Sequence, residues 1–311
     1  MKSGFIDILL VLILIIAIGM GVYAILELWP SATMQFKEIN QNLSLTRDSI
    51  VLNSTQFYSN MRYPDRRISY TISSQCDSKK RNDMINAFTF LSQETVLTFY
   101  ETNNGEIIIL CSDIAPAPED KGHFIAGEGG PKEIIETGAY HVIFSGKIAL
   151  YKDEKCNEPK IALHELLHAL GFDHNSNPKS VLYPITSCDE QLDDYVINEI
   201  NKLYSVDSLP DLAITDAKAE KTGRYLSLTV EISNEGLKDS SKFLLQIYAD
   251  GKNIKELEVE GIQVGFRKII SVDNLRISSN TQEIDFAVNQ IEDSKEITNK
   301  NNEVELKLLP A

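Results

Sequence analysis

The pattern of apolar and polar positions divides the chain into four stretches of different texture. The first is an uncharged apolar run from Ile8 to Leu26. As a helix its roughly 19 residues would rise ~28 Å, close to the hydrocarbon thickness of a bilayer. The run ends in Leu26-Glu27-Leu28-Trp29-Pro30, an interfacial aromatic rather than a small-residue cleavage site, and Lys2 precedes it. Residues 1–29 are therefore expected to be a transmembrane signal-anchor, N-terminus in the cytoplasm and the rest of the chain outside. Cleavage nearby, after Ala32, is the competing expectation. Residues 30–62 are polar and weakly periodic, a stalk or linker with some helix near Met34–Leu45. They contain sequons at Asn42 and Asn53, which permit glycosylation.

From residue 63 a globular pattern begins. Arg67–Ile72 alternates as a half-buried strand. Asp77 or Ser78 can cap a helix that puts Met84, Ile85, Phe88 and Leu91 on one face. Val96–Tyr100 and Glu106–Cys111 read as strands, the second an inner one because Ile107-Ile108-Ile109-Leu110 is continuously apolar. The glycine- and proline-rich Asp113–Pro131 reads as loop. His141–Phe144 and Ile148–Tyr151, parted by Ser145-Gly146-Lys147, predict a strand pair or one bent edge. Pro159 suits the first turn of a helix that Asn157 can cap, with an apolar stripe of Leu163, Leu166, Leu167 and Leu170. Ser187-Cys188-Asp189-Glu190 has the form of a capping box opening a last helix, buried through Leu192, Val196, Ile200 and Leu203.

After Leu209 the period changes to two. Tyr225–Ile232, Phe243–Ala249 and Ile284–Val288 alternate, punctuated by Asn234-Glu235-Gly236, Asp250-Gly251 and Asn299–Asn302. Short strands at this spacing predict a β-sandwich over 209–311.

Composition adjusts this picture little. The 311 residues suffice for two medium domains, and 43% hydrophobic residues is ordinary for a folded chain. A net charge of −15 leaves no basic surplus to neutralise phosphates, which argues against nucleic-acid binding. Cys76, Cys111, Cys156 and Cys188 contain no Cys-x-x-Cys pair, so a thiolate zinc knuckle is not expected. If the chain is exported, three disulfide connectivities are open, and a Cys156–Cys188 bridge would staple the segment between them; buried thiols are the alternative.

The chemistry is concentrated in His164-Glu165-Leu166-Leu167-His168-Ala169-Leu170-Gly171-Phe172-Asp173-His174, which holds three of the five histidines. Histidines four apart lie one helical turn apart on one face, so both imidazoles can reach one metal ion. Glu165 is placed to touch a metal-bound water as a general base. Gly171 can take the left-handed conformation that ends the helix and returns His174 as a third nitrogen, leaving a fourth zinc position for water.

Every fixed position of His-Glu-x-x-His-x-x-Gly-x-x-His is met, and the stretch resembles the metzincin zinc metalloproteases. The following Ser180-Val181-Leu182-Tyr183-Pro184 resembles the turn under the zinc in the matrixin subgroup, with Leu182 where that family has methionine; leucine has similar volume and polarity. The resemblance runs from about Tyr63 to Tyr204. It implies an α+β metzincin-like domain over 63–206, a twisted mixed sheet with three helices, holding one catalytic Zn²⁺; it also allows a structural Ca²⁺. It further implies a protein or peptide substrate bound by strand addition at the sheet edge, with Tyr183 and Pro184 walling the pocket. Pro210–Ile214, Ile232–Gly236 and Thr298–Val304 together resemble the Ig-like, CARDB-type modules of prokaryotic surface proteins, which implies a cell-surface partner, a spacer or substrate recruitment. A different class of function also fits the sequence: a vestigial metzincin acting in adhesion through its Ig-like domain. The Leu182 departure favours it and the intact Glu165 opposes it.

Overall fold

The computed structural model describes residues 33–40, 55–117, 125–153, 155–291 and 295–308. The anchor expected over 1–29 lies outside the described residues, as do Asn42 and Asn53. Among the described residues no helix is long and apolar enough to cross a membrane.

The first strand is a departure from expectation. β1 (Thr33–Asn40) falls in the stretch read as stalk with some helix, yet it is extended. Eight residues of a polar lead-in become a strand because an open sheet edge further along the chain supplies the hydrogen-bond partners a free segment lacks.

Beyond it lies a six-stranded mixed sheet. Its members are β2 (Met61–Arg62), β3 (Arg67–Ile72), β4 (Thr98–Glu101), β5 (Ile107–Cys111), β6 (Gly127–Glu136) and β7 (His141–Leu150). The order is β2-β7-β5-β3-β4, with β6 added alongside β7. All pairings are parallel except β6 with β7. Helix α1 (Ser78–Glu94) follows β3; the Asp77 carboxylate accepts from the amides of Lys79 and Lys80 at 2.8 and 2.9 Å, tying down two free N–H groups of the first turn. Its Met84, Ala87, Phe88 and Leu91 are buried in a core shared with α2 (Lys160–Ala169) and α3 (Asp194–Leu203).

Five local expectations change. β5 is an inner strand, but Ile108 and Leu110 are each 36% exposed, so only one of its faces is fully covered. The end of the predicted loop, from Gly127 on, is instead strand β6: an edge strand tolerates glycine and proline where a central one does not, and the register shifts next to Pro131. The two segments around Ser145-Gly146-Lys147 form the single strand β7. There Gly146 leaves room for the Tyr63 hydroxyl, which a Cβ would meet at 2.4 Å. Helix α2 starts behind Pro159 with no side-chain cap, so Asn157 does not cap it. The Ser187–Glu190 box does not open a helix either: Glu190 accepts from the Ser187 amide at 2.9 Å within a loop, and α3 begins four residues after it, behind Asp193. The intervening Gln191 is held instead by backbone bonds to Lys179 and Val181.

The C-terminal part packs two four-stranded sheets face to face. One has the order β1-β12-β9-β8, from β8 (Leu212–Thr222), β9 (Tyr225–Asn234) and β12 (Phe266–Arg276). The other is β11-β10-β13-β14, from β10 (Phe243–Ala249), β11 (Lys252–Val259), β13 (Glu283–Gln290) and β14 (Glu303–Lys307). Strict alternation along β9 and β10 sends Leu226, Leu228, Val230, Ile232, Phe243, Leu245 and Ile247 into one core. β1 runs antiparallel to β12, from Thr33 opposite Asp273 to Asn40 opposite Phe266.

Candidate metal centre

Helix α2 buries Leu163, Leu166, Leu167 and Leu170 as expected and carries its polar groups on an adjoining face. His164 and His168, one turn apart, are buried at 6% and 5% exposure. Gly171 follows the helix at φ +95°, the left-handed region where a side chain would be strained. A Cβ there would also lie 2.6 Å from Cγ of Met61, so both backbone and packing require glycine. The resulting turn brings His174 back over the helix.

The three Nε2 atoms converge. They are separated by 2.9 Å (His164–His168), 3.1 Å (His168–His174) and 3.2 Å (His164–His174). Nδ1 of His164 sits 2.6 Å from the Val181 carbonyl oxygen, and Nδ1 of His168 sits 2.7 Å from that of Phe172. A carbonyl only accepts, so Nδ1 holds the proton in both rings and Nε2 presents a lone pair. Burial pushes the His164 imidazole down to about 3 and lowers His168 as well, so both are neutral near pH 7. Lone pairs facing one another at about 3 Å repel unless a cation lies between them. Four ligands at ~2.05 Å in a tetrahedron stand ~3.3 Å apart, near the observed spacing, so the donor set fits Zn²⁺.

Glu165 is also buried, and its carboxyl is pushed up to about 8, first by burial and then by the Glu128 carboxylate. Neither cause is a cation; a dication at the histidines would oppose the shift and favour the carboxylate.

Two further groups of residues shape the site and are absent from the motif. Gly127 and Gly129 of the edge strand β6 lie directly against α2. A Cβ on Gly127 would stand 2.7 Å from Cγ of Glu165, and one on Gly129 only 2.1 Å from its backbone oxygen. The alternating glycines in Gly127-Glu128-Gly129-Gly130 are the sequence signal for this close approach, hidden by reading the stretch as loop. The other group is the turn beneath the rings. The Ser180 hydroxyl binds the Asp193 carboxylate, accepts from Asn175 Nδ2 at 2.7 Å and from the Leu182 amide at 3.0 Å. This holds Val181, whose carbonyl orients His164. Leu182 is fully buried, Tyr183 is half-buried and Pro184 is exposed.

Disulfides join Cys76 to Cys111 and Cys156 to Cys188. The second closes the segment from the residues before α2 to the loop beyond the turn, a span of 32 residues containing the whole histidine set.

With this geometry in hand, the class of each part is defined. Residues 62–205 match the Matrixin family model and residues 209–306 match the CARDB family model, so the chain combines a matrixin domain with a CARDB domain. Among relatives, interstitial collagenase of Oryctolagus cuniculus is 26% identical over 164 residues, covering 49% of this chain and 34% of the collagenase. Zinc metalloproteinase nas-13 of Caenorhabditis elegans is 26% identical over 117 residues, covering 38% of this chain and 22% of that protein. The chain thus spans about a third or less of these curated relatives. Two solved structures resemble the C-terminal part. The CARDB domain of a Pyrococcus furiosus protein, solved with di-metal ions, is 16% identical with a TM-score of 0.27, covering 32% of this chain and 90% of that one. A domain from Methanosarcina acetivorans, described as part of a cell surface protein, is 19% identical with a TM-score of 0.29, covering 33% and 95%. Scores this low add nothing to the family matches.

Proposed function

We propose that this chain is a zinc-dependent endopeptidase, organised as an anchor over 1–29, a lead-in over 30–62 that lends β1 to the sandwich and β2 to the mixed sheet, a protease domain over 63–206 and an Ig-like sandwich over 209–311. The observation that carries the reading is the convergence of three histidine Nε2 atoms, those of His164 and His168 with lone pairs inward, beside a buried carboxyl. In this reading His164, His168 and His174 hold the ion. Bound Zn²⁺ supplies Lewis-acid activation of a water and polarisation of the scissile carbonyl. Glu165 accepts the attacking water's proton and delivers it to the departing amine, so the same carboxyl serves both halves of the reaction. The Val181 and Phe172 carbonyls fix the imidazole tautomers, and Leu182 supplies an apolar floor.

The free edge of β6 accepts an extended substrate as an added strand, with Tyr183 and Pro184 beside the pocket. β6 pairs with β7 alone among the described strands, which supports this use of its other edge. The anchor would place the active site outside the cell, and the sandwich faces a cell-surface partner there. Zinc content and proteolysis of denatured protein, measured on residues 31–311 beside a Glu165→Gln variant, test the proposal. Proteolysis that survives Glu165→Gln, or zinc without any proteolysis, would refute it; the second result would favour the adhesion alternative.

A further inference from the structure

The sandwich and the protease sheet are in contact, and the contact falls on the strand that faces the active site. β6 starts at Gly127 against Glu165 and ends at Glu136, about 30 Å away at ~3.3 Å per residue. Its far end turns through Thr137–Tyr140 into β7 and docks on the sandwich. A Cβ on Gly138 would stand 2.2 Å from the Glu235 carboxylate, and one on Gly265 would stand 2.2 Å from Ile135 Cγ2. Beside these, Val142 of β7 is buried with Leu237 and Val264 of the sandwich in an apolar cluster of their own. The covalent junction is held as well. Arg62, 1% exposed, donates to the carbonyls of Leu203 and Val206, and the Arg66 Nε donates to that of Tyr204 at 2.6 Å.

From this we infer that the sandwich is a positioning element for catalysis: it fixes the far end of β6 and so sets how that edge strand lies against Glu165. The inference rests on the protease reading for its consequence, though not for its geometry. A freely tethered spacer needs neither a buried cluster shared with β7 nor two glycines that leave room for side chains across the contact, Glu235 against Gly138 and Ile135 against Gly265. β6 needs a second support for a physical reason. Its register with β7 shifts on both sides of Glu133, so the ladder alone holds it less firmly than a regular strand. Ile135 and Glu136, just past that irregularity, are the residues Gly265 approaches. Leu237, Val264 and Gly265 are therefore positioning residues, acting on substrate through β6.

In the full-length protein, Val264→Asp puts a carboxylate into the shared cluster, and Leu237→Ala thins it more gently should the first variant fail to fold. Hydrogen exchange of amides 127–136 is compared with that of 160–169, together with KM and kcat for an extended peptide. Exchange across 127–136 should rise about tenfold while 160–169 is unchanged, with KM rising more than kcat falls. Unchanged exchange across β6 in both variants would overturn the inference. If the parent protein cleaves nothing, the protease reading fails, and the exchange result still decides whether the sandwich holds β6.

Discussion

Three glycines on one strand allow the closeness of β6 and α2 to be graded. Gly130→Ala adds a methyl with nothing within 4 Å, Gly127→Ala meets the Glu165 side chain, and Gly129→Ala meets the Glu165 backbone oxygen at 2.1 Å. An ordinary carbon–oxygen contact is nearer ~3.4 Å, so Gly129→Ala must drive strand and helix apart by ~1 Å, and neither backbone has a rotamer to yield. Overpacking of this kind costs ~1–3 kcal/mol. A displacement of ~1 Å at the reacting groups lowers turnover by ~100-fold. Gly127→Ala should separate the two effects. The Glu165 carboxyl can swing away, so stability falls by less than ~1 kcal/mol, while the displaced base lowers kcat by ~10²–10⁴-fold. Thermal melts, zinc content and kcat/KM on one peptide read all three variants. Gly130→Ala is expected to match the parent in each. A Gly129→Ala protein with parental melting and activity would refute the packing of β6 on α2, and a fully active Gly127→Ala would refute the role given to Glu165.

Further outcomes follow from the turn, the disulfide and the sandwich. Leu182→Met should cost less than ~1.5 kcal/mol and keep zinc, whereas Leu182→Ala should cost ~2–5 kcal/mol and weaken zinc affinity ~10–100-fold through Val181 and His164, both read by denaturation and metal titration. Replacing Cys156 and Cys188 with serine opens a 32-residue span and should cost ~3–4 kcal/mol of unfolding free energy by chain-entropy arguments. Burial raises the Asp211 carboxyl from 3.8 to about 6, against a lowering hydrogen bond from Asn301. The folded sandwich therefore binds a proton the unfolded chain releases. The resulting stability is full below pH ~4 and lost as pH rises through 6, worth at most ~3 kcal/mol and ~1–2 after solvent screening. Asp211→Asn should flatten that part of the denaturation profile between pH 4 and 7, and an unchanged slope would contradict it.

What could be read from sequence was whatever depends on local spacing. The histidines of α2 and the left-handed Gly171 follow from helix geometry alone, and the strict alternation of β9 and β10 gives the sandwich its core. What could not be read depends on long-range contact. Gly127–Pro131 has the composition of a loop, and only the presence of β7 on one side and α2 beneath makes it a strand. β1 likewise has no strong period of its own and is extended because β12 offers an edge. In the Ser187–Glu190 box the Glu190 carboxylate accepts from the Ser187 amide without a helix following at once, since the backbone bonds of Gln191 to Lys179 and Val181 carry the chain elsewhere. The support of His164 by Val181 spans 17 residues and is invisible in a motif confined to the helix and its turn.

The proposed function requires that three histidines hold one zinc beside a working base. Zinc measured per chain on purified protein, with proteolysis of a denatured substrate by parent and Glu165→Gln side by side, tests it most directly. About one zinc per chain is expected in both proteins, with cleavage by the parent alone. Absence of zinc from a folded parent, or equal cleavage by the two, would contradict it.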